Sequence, residues 1–130
     1  MTVLSRFPIS ARAAASDLGR ARQWYEKRLG LEPEHEDPGG AWYRFAGETW
    51  LYLYATPSAG TAKNTIAGWE VEDIESVMAD LRRRGVVFEE YDLGEILMVD
   101  GLADFGVAKA AWFKDSEGNT YELTEVRRGP

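Results

Sequence analysis

The stretch that decides the fold is Ala110–Val126, AAWFKDSEGNTYELTEV. Two short runs, Ala110-Ala111-Trp112-Phe113 and Thr120-Tyr121-Glu122-Leu123-Thr124, flank a polar knot of Asp115, Ser116, Glu117, Gly118 and Asn119. Aromatic and β-branched residues suit a pleated surface, and Gly118 supplies the positive φ of a tight reversal, so the stretch reads as a β-hairpin. Its second strand alternates, with Tyr121 and Leu123 on one face and Thr120, Glu122 and Thr124 on the other. A carboxylate between two threonines on a strand face needs a reason to be there. What Glu122 faces bears directly on what the protein does.

Outward from the hairpin, the same pattern recurs. Ile9–Ser16 reads as a strand with Ala11, Ala13 and Ala15 on one face. Asp17 caps a helix that Gly30 ends, and Leu18, Ala21, Tyr25 and Leu29 form its inward stripe. A short irregular strand, Leu31–Glu36, precedes Ala41–Phe45 and Thr49–Ala55, which are joined through Gly47. After the breaker-rich linker Pro57–Lys63 the order repeats. Thr65–Glu72 is a strand, and Asp73 caps a helix with the stripe Ile74, Val77, Met78 and Leu81. Gly85 ends that helix, and a strand Val86–Glu90 precedes the hairpin. The caps Asp17 and Asp73 lie 56 residues apart. The chain is thus a βαβββ unit used twice, an α+β arrangement in one domain over 1–130, with modules of about 8–57 and 64–127. Asp92–Lys109 is an insertion in the second copy, a loop or edge segment.

Composition narrows the function. With 45% apolar and 28% charged residues the chain is globular, and it holds no apolar run near the ~20 residues of a membrane span. No cysteine is present, which excludes thiolate chemistry and suits the cytoplasm. A net charge of −7 argues against nucleic acid and would suit a basic ligand. Arg82-Arg83-Arg84 falls in a helix's last turn, where the dipole favours cations.

The strand leading into Ser16-Asp17-Leu18, the helix from Ala21 to Leu31 and the segment Trp112–Leu123 resemble the vicinal oxygen chelate superfamily. That group includes glyoxalase I, bleomycin-resistance proteins, fosfomycin-resistance enzymes and extradiol dioxygenases. The resemblance implies two βαβββ modules forming a curled mixed sheet around a central cavity, often completed in a homodimer. Metal-dependent members of that family use four ligand positions, which fall here on Ser10, Tyr52, Ile66 and Glu122. Only Glu122 keeps a typical ligand, and a one-residue shift in register rescues none of the other three. His35 is the single histidine and reads as a surface residue beside acids. No metal or other cofactor is expected.

Strand parity supplies a cavity list. With Leu51 and Leu53 under a helix, Trp50, Tyr52 and Tyr54 turn inward. So do Ser10 and Arg12 on the first strand, Gly68 and Glu70 on the fifth, and Thr120 and Glu122 on the last. Converging rings with a few polar groups are how small-molecule sites are lined, although the same rings could simply fill a core. The family architecture places Arg12 beside Glu122, so Glu122 is either half of a structural ion pair or a ligand-binding or acid–base group. The first reading is a metal-free small-molecule binding protein holding a partly aromatic ligand. The second is a glyoxalase-like lyase or isomerase in which Glu122 is catalytic, and a metal-dependent dioxygenase or glyoxalase comes third.

Overall fold

A computed structural model describes residues 3–127. In chain order its elements are β1 (Ala11–Ala15), α1 (Leu18–Trp24), β2 (His35–Asp37), β3 (Gly40–Phe45), β4 (Thr49–Ala55), β5 (Thr65–Glu70) and α2 (Ile74–Arg83). The chain continues with β6 (Met98–Val99), β7 (Leu102–Asp104), β8 (Ala108–Lys114) and β9 (Thr120–Val126). The strands form two mixed, curled sheets, ordered β1-β4-β3-β2 and β5-β9-β8-β7-β6. In each, a first strand runs parallel to the last strand of its unit, Ala11 beside Leu51 and Gly68 beside Glu122. The duplicated α+β plan read from the sequence is present.

Local chemistry accounts for the elements. Asp17 accepts the Arg20 N–H at 3.0 Å and starts α1, while Asp73 does the same for α2 through Ser76. From Tyr25 to Leu29 the first helix widens into a π-helical turn before Gly30 closes it. Gly47 and Gly118 both stand at positive φ, 70° and 87°, in the two strand-to-strand turns.

Parity decides the core. Ala13, Ala15, Leu51, Leu53, Tyr121 and Leu123 are all buried, together with Tyr25 and Ala21 of the first helix and Ile74, Met78 and Leu81 of the second. The helices therefore cover one face of each sheet and leave the opposite faces, which carry Tyr52 and Glu122, uncovered by them.

Three expectations are corrected. Val86–Glu90 is not a strand: only Phe88 bridges Phe113, with the Glu89 N–H donating to the Trp112 carbonyl at 2.8 Å. On the same β8 edge β7 pairs with Lys109 and Ala110. The strand expected over Leu31–Glu36 is confined to His35–Asp37, whereas the 92–109 insertion supplies the edge strands β6 and β7 and a loop, in keeping with a loop or edge segment. Finally, β1 begins at Ala11 rather than Ile9. Pro8 lacks an N–H for a ladder, and Ile9 stands 92% exposed.

Candidate functional site

The uncovered face of the first sheet is an aromatic ladder. Register places Arg12 and Trp42 on either side of Tyr52, Arg44 beside Trp50, and His35 beside Trp42. Trp42 stacks on Tyr52 with centroids 4.3 Å apart, and Tyr52 stacks on Tyr54 at 6.0 Å. His35 lies 5.9 Å from both Trp42 and Trp50. Ring pairs at these spacings are mutually attractive and hold one another in place.

The ladder is braced from its edge. Asp37 accepts from the Gly39 N–H at 2.8 Å, the Tyr52 hydroxyl at 3.0 Å and the Trp42 indole N–H at 3.3 Å. Desolvation works against the charged form, but these donors prevail and hold the Asp37 carboxyl below its ordinary range. Tyr52 is raised in turn, by desolvation first and then by its bond to the Asp37 carboxylate. Gly40 permits the close fit, since a Cβ there would lie 2.8 Å from Tyr52 Cε1 and 2.2 Å from the Leu53 carbonyl oxygen.

Two adjoining depressions open beside the ladder. One, of about 280 Å³, is lined by Ser10, His35, Trp42 and Trp50 with Pro8, Ile9 and Glu48. The other, of about 250 Å³, shares Ile9 and Trp50 and reaches Ala67 and Gly68 on β5, where the two sheets approach each other. Together they approach the size of a small-molecule site, and their walls are mainly apolar.

The residues named from sequence thus divide into two groups. Ser10, Arg12, Trp50, Tyr52 and Tyr54 gather on or beside the ladder. Gly68, Glu70, Thr120 and Glu122 lie on the second sheet, with Gly68 also reaching one depression. Thr120 is buried and presents almost no surface. Glu122 sits between Trp112 on β8 and Gly68 on β5, and its Oε1 accepts the Thr124 hydroxyl at 2.7 Å. A Cβ on Gly68 would come within 2.8 Å of the Glu122 carbonyl oxygen.

Arg12 and Glu122 are not side by side. β1 pairs with β4, and β5 intervenes before β9, so no ion pair joins the two residues. Arg12 lies instead over Trp42 and Tyr52, 5.1 and 5.4 Å from their centroids. Sequence reasoning missed Trp42, Asp37 and His35 as members of this group. The alternation of Ala41, Trp42 and Tyr43 was the available signal for Trp42.

The donors present do not fit a resident divalent ion. The four family positions hold a hydroxyl, a phenol, an alkyl chain and one carboxylate, and among the described residues no three of His, Asp and Glu converge.

The polar hairpin turn is structural. Glu117 Oε1 accepts from Ser16 N at 2.9 Å, Asp17 N at 3.1 Å and Arg20 Nη2 at 3.0 Å, while Oε2 accepts from Arg20 Nε at 2.9 Å. Asp115 accepts from the Tyr25 hydroxyl at 2.5 Å and from Asn119 Nδ2 at 2.8 Å. Tyr25 also bonds Tyr121 through their hydroxyls at 2.6 Å, and burial raises both phenols. This network ties the β8–β9 turn to the start of α1.

Comparison with known proteins agrees with the architecture. The bleomycin-binding protein, solved in complex with bleomycin, superposes with a TM-score of 0.69 at 17% identity, covering 93% of this chain and 99% of that one. TnmS3, an antibiotic-binding protein from Streptomyces sp. CB03234, gives 0.66 at 20% identity over 93% and 98%. A glyoxalase/bleomycin resistance protein from Catenulispora acidiphila gives 0.64 at 24% over 92% and 97%. No curated protein matches. The family model for the Glyoxalase/Bleomycin resistance protein/Dioxygenase superfamily matches residues 9–123, and the chain belongs to that superfamily.

Proposed function

We infer that this protein binds, without a metal, a small and partly aromatic molecule laid against the ladder of Trp42, Trp50, Tyr52 and Tyr54. The observation that carries the reading is the placement of these rings. They stand half-buried on the sheet face turned away from the helices, while the core is filled by Tyr25, Tyr43, Phe113 and Tyr121. Large rings left uncovered by their own fold, braced by Asp37 and beside open depressions, suit a ligand surface. Structural relatives whose names record bleomycin and antibiotic binding favour the same class.

An acid–base enzyme led by Glu122 is the weaker reading. Glu122 accepts the Thr124 hydroxyl, and it lies on the second sheet, away from the ring ladder of the first. We read the chain as one domain of two modules that works as a homodimer, in keeping with strand edges left open in both sheets. The absence of cysteine suits the cytoplasm as its compartment.

The test compares Trp50→Ala with Leu51→Ala. An aromatic ligand is expected to quench tryptophan fluorescence saturably, and Trp50→Ala to weaken it about tenfold with the fold intact. Leu51→Ala, in the core, is expected to lose ~2–5 kcal/mol of stability. Equal unfolding of both variants, with no quenching of the wild type, would refute the cleft.

A further inference from the structure

We propose that the aromatic ladder selects planar aromatic anions, with Arg12 as the group that receives the negative charge. The inference rests on the aromatic-cleft reading and deepens it by naming the ligand's chemistry, against the overall charge of −7. Arg12 pairs in register with Tyr52, and its guanidinium lies over the Trp42–Tyr52 stack at 5.1 and 5.4 Å. Among the described residues it forms no ion pair, and no hydrogen-bond acceptor meets it. Two other arginines of the first unit do have acidic partners. Arg44, over Trp50 at 5.0 Å, has Glu34 at 3.7 Å, and Arg22 pairs with Glu36 at 2.5 Å.

A guanidinium is planar and carries its N–H donors in that plane, and the Arg12 group lies over the two rings. That plane matches the fork of a carboxylate, which a mobile ammonium would not. Asp37 is engaged by Gly39, Tyr52 and Trp42, and neither it nor Glu48 of the adjoining depression pairs with Arg12. An aromatic carboxylate would therefore find a flat apolar surface and an oriented cation at one site. A cationic aromatic would find the same surface and a repulsive Arg12.

The probes are 2-naphthoate, 2-naphthamide and 2-naphthylmethylammonium, titrated by calorimetry into the full chain at neutral pH and low salt. Naphthoate is expected to bind about tenfold tighter than the amide, and the ammonium more weakly than either. Arg12→Met, at an exposed position, is expected to bring naphthoate down to the amide's affinity while the amide changes by less than about threefold. Arg12→Lys keeps the charge without the fork and should retain only part of the preference. Equal affinities for all three probes would overturn the role of Arg12 and leave the cleft standing. A naphthoate preference that survives Arg12→Met would do the same. Failure of every probe to bind would overturn the cleft reading, and this inference with it.

Discussion

Replacing Glu117 with Gln should cost the fold about 3 kcal/mol at neutral pH, and the cost should fade in acid. The Glu117 carboxyl is buried and held down to about 2 from an ordinary 4.5, first by the Arg20 side chain and then by the Asp17 N–H and the Ser116 and Ser16 groups, against its own desolvation. A difference of that size, at 1.36 kcal/mol per pH unit, gives ~3 kcal/mol of native-state preference for the charged form. The sign follows from the depressed native value. The stabilisation is complete above the unfolded value near 4.5 and is lost as pH falls from there toward 2. Glutamine keeps the shape but removes the charge and, whichever way the amide turns, points its NH2 at an Arg20 N–H that can only donate. Urea denaturation of both proteins across pH 7 to 2.5 should show a gap of ~3 kcal/mol that narrows steadily below pH 4.5. A gap under about 1 kcal/mol at pH 7, the range of an exposed ion pair, would refute the reasoning. So would a gap independent of pH.

Tyr43→Phe should leave stability unchanged or raise it by up to about 1 kcal/mol, because among the described residues the buried Tyr43 hydroxyl has no partner. Burial also pushes its phenol up to about 12, so the variant should lose no stability at neutral pH; thermal denaturation checks both statements. Added Zn²⁺ or Mn²⁺ should not raise the melting temperature, since no ligand set in the described residues suits either ion. One tightly held ion per subunit, lost in Glu122→Ala, would contradict that expectation.

Much of this architecture was legible in the sequence because it depends on local rules. Asp17 and Asp73 announce their helices, and strict alternation in β4 and β9 sorts Leu51, Leu53, Tyr121 and Leu123 into the core. What resisted reading depends on partners distant in sequence. Val86, Val87 and Phe88 do alternate, but a strand also needs a ladder of partners, and this segment makes only the Phe88 bridge to Phe113 on the β8 edge. β2 is three residues long, exposed and carries His35 and Asp37, so nothing in its own pattern marks the residue that braces Trp42 and Tyr52. The turn at Asp115–Asn119 reads as an ordinary polar reversal. Its burial follows from Ser16, Asp17 and Arg20, about a hundred positions earlier. Arg12 and Glu122 share a face type but not a neighbourhood, because β5 stands between their strands.

A ligand surface formed by the rings of the first sheet would be visible at single tryptophans. The five tryptophans, Trp24, Trp42, Trp50, Trp69 and Trp112, each carry one indole N–H that a two-dimensional NMR spectrum can follow. Titration with 2-naphthoate should move the Trp42 and Trp50 signals saturably and together, while Trp24, packed between Tyr25 and Phe113, stays in place. No saturable shift at Trp42 and Trp50, or a larger one at Trp24 or Trp112, would contradict the account.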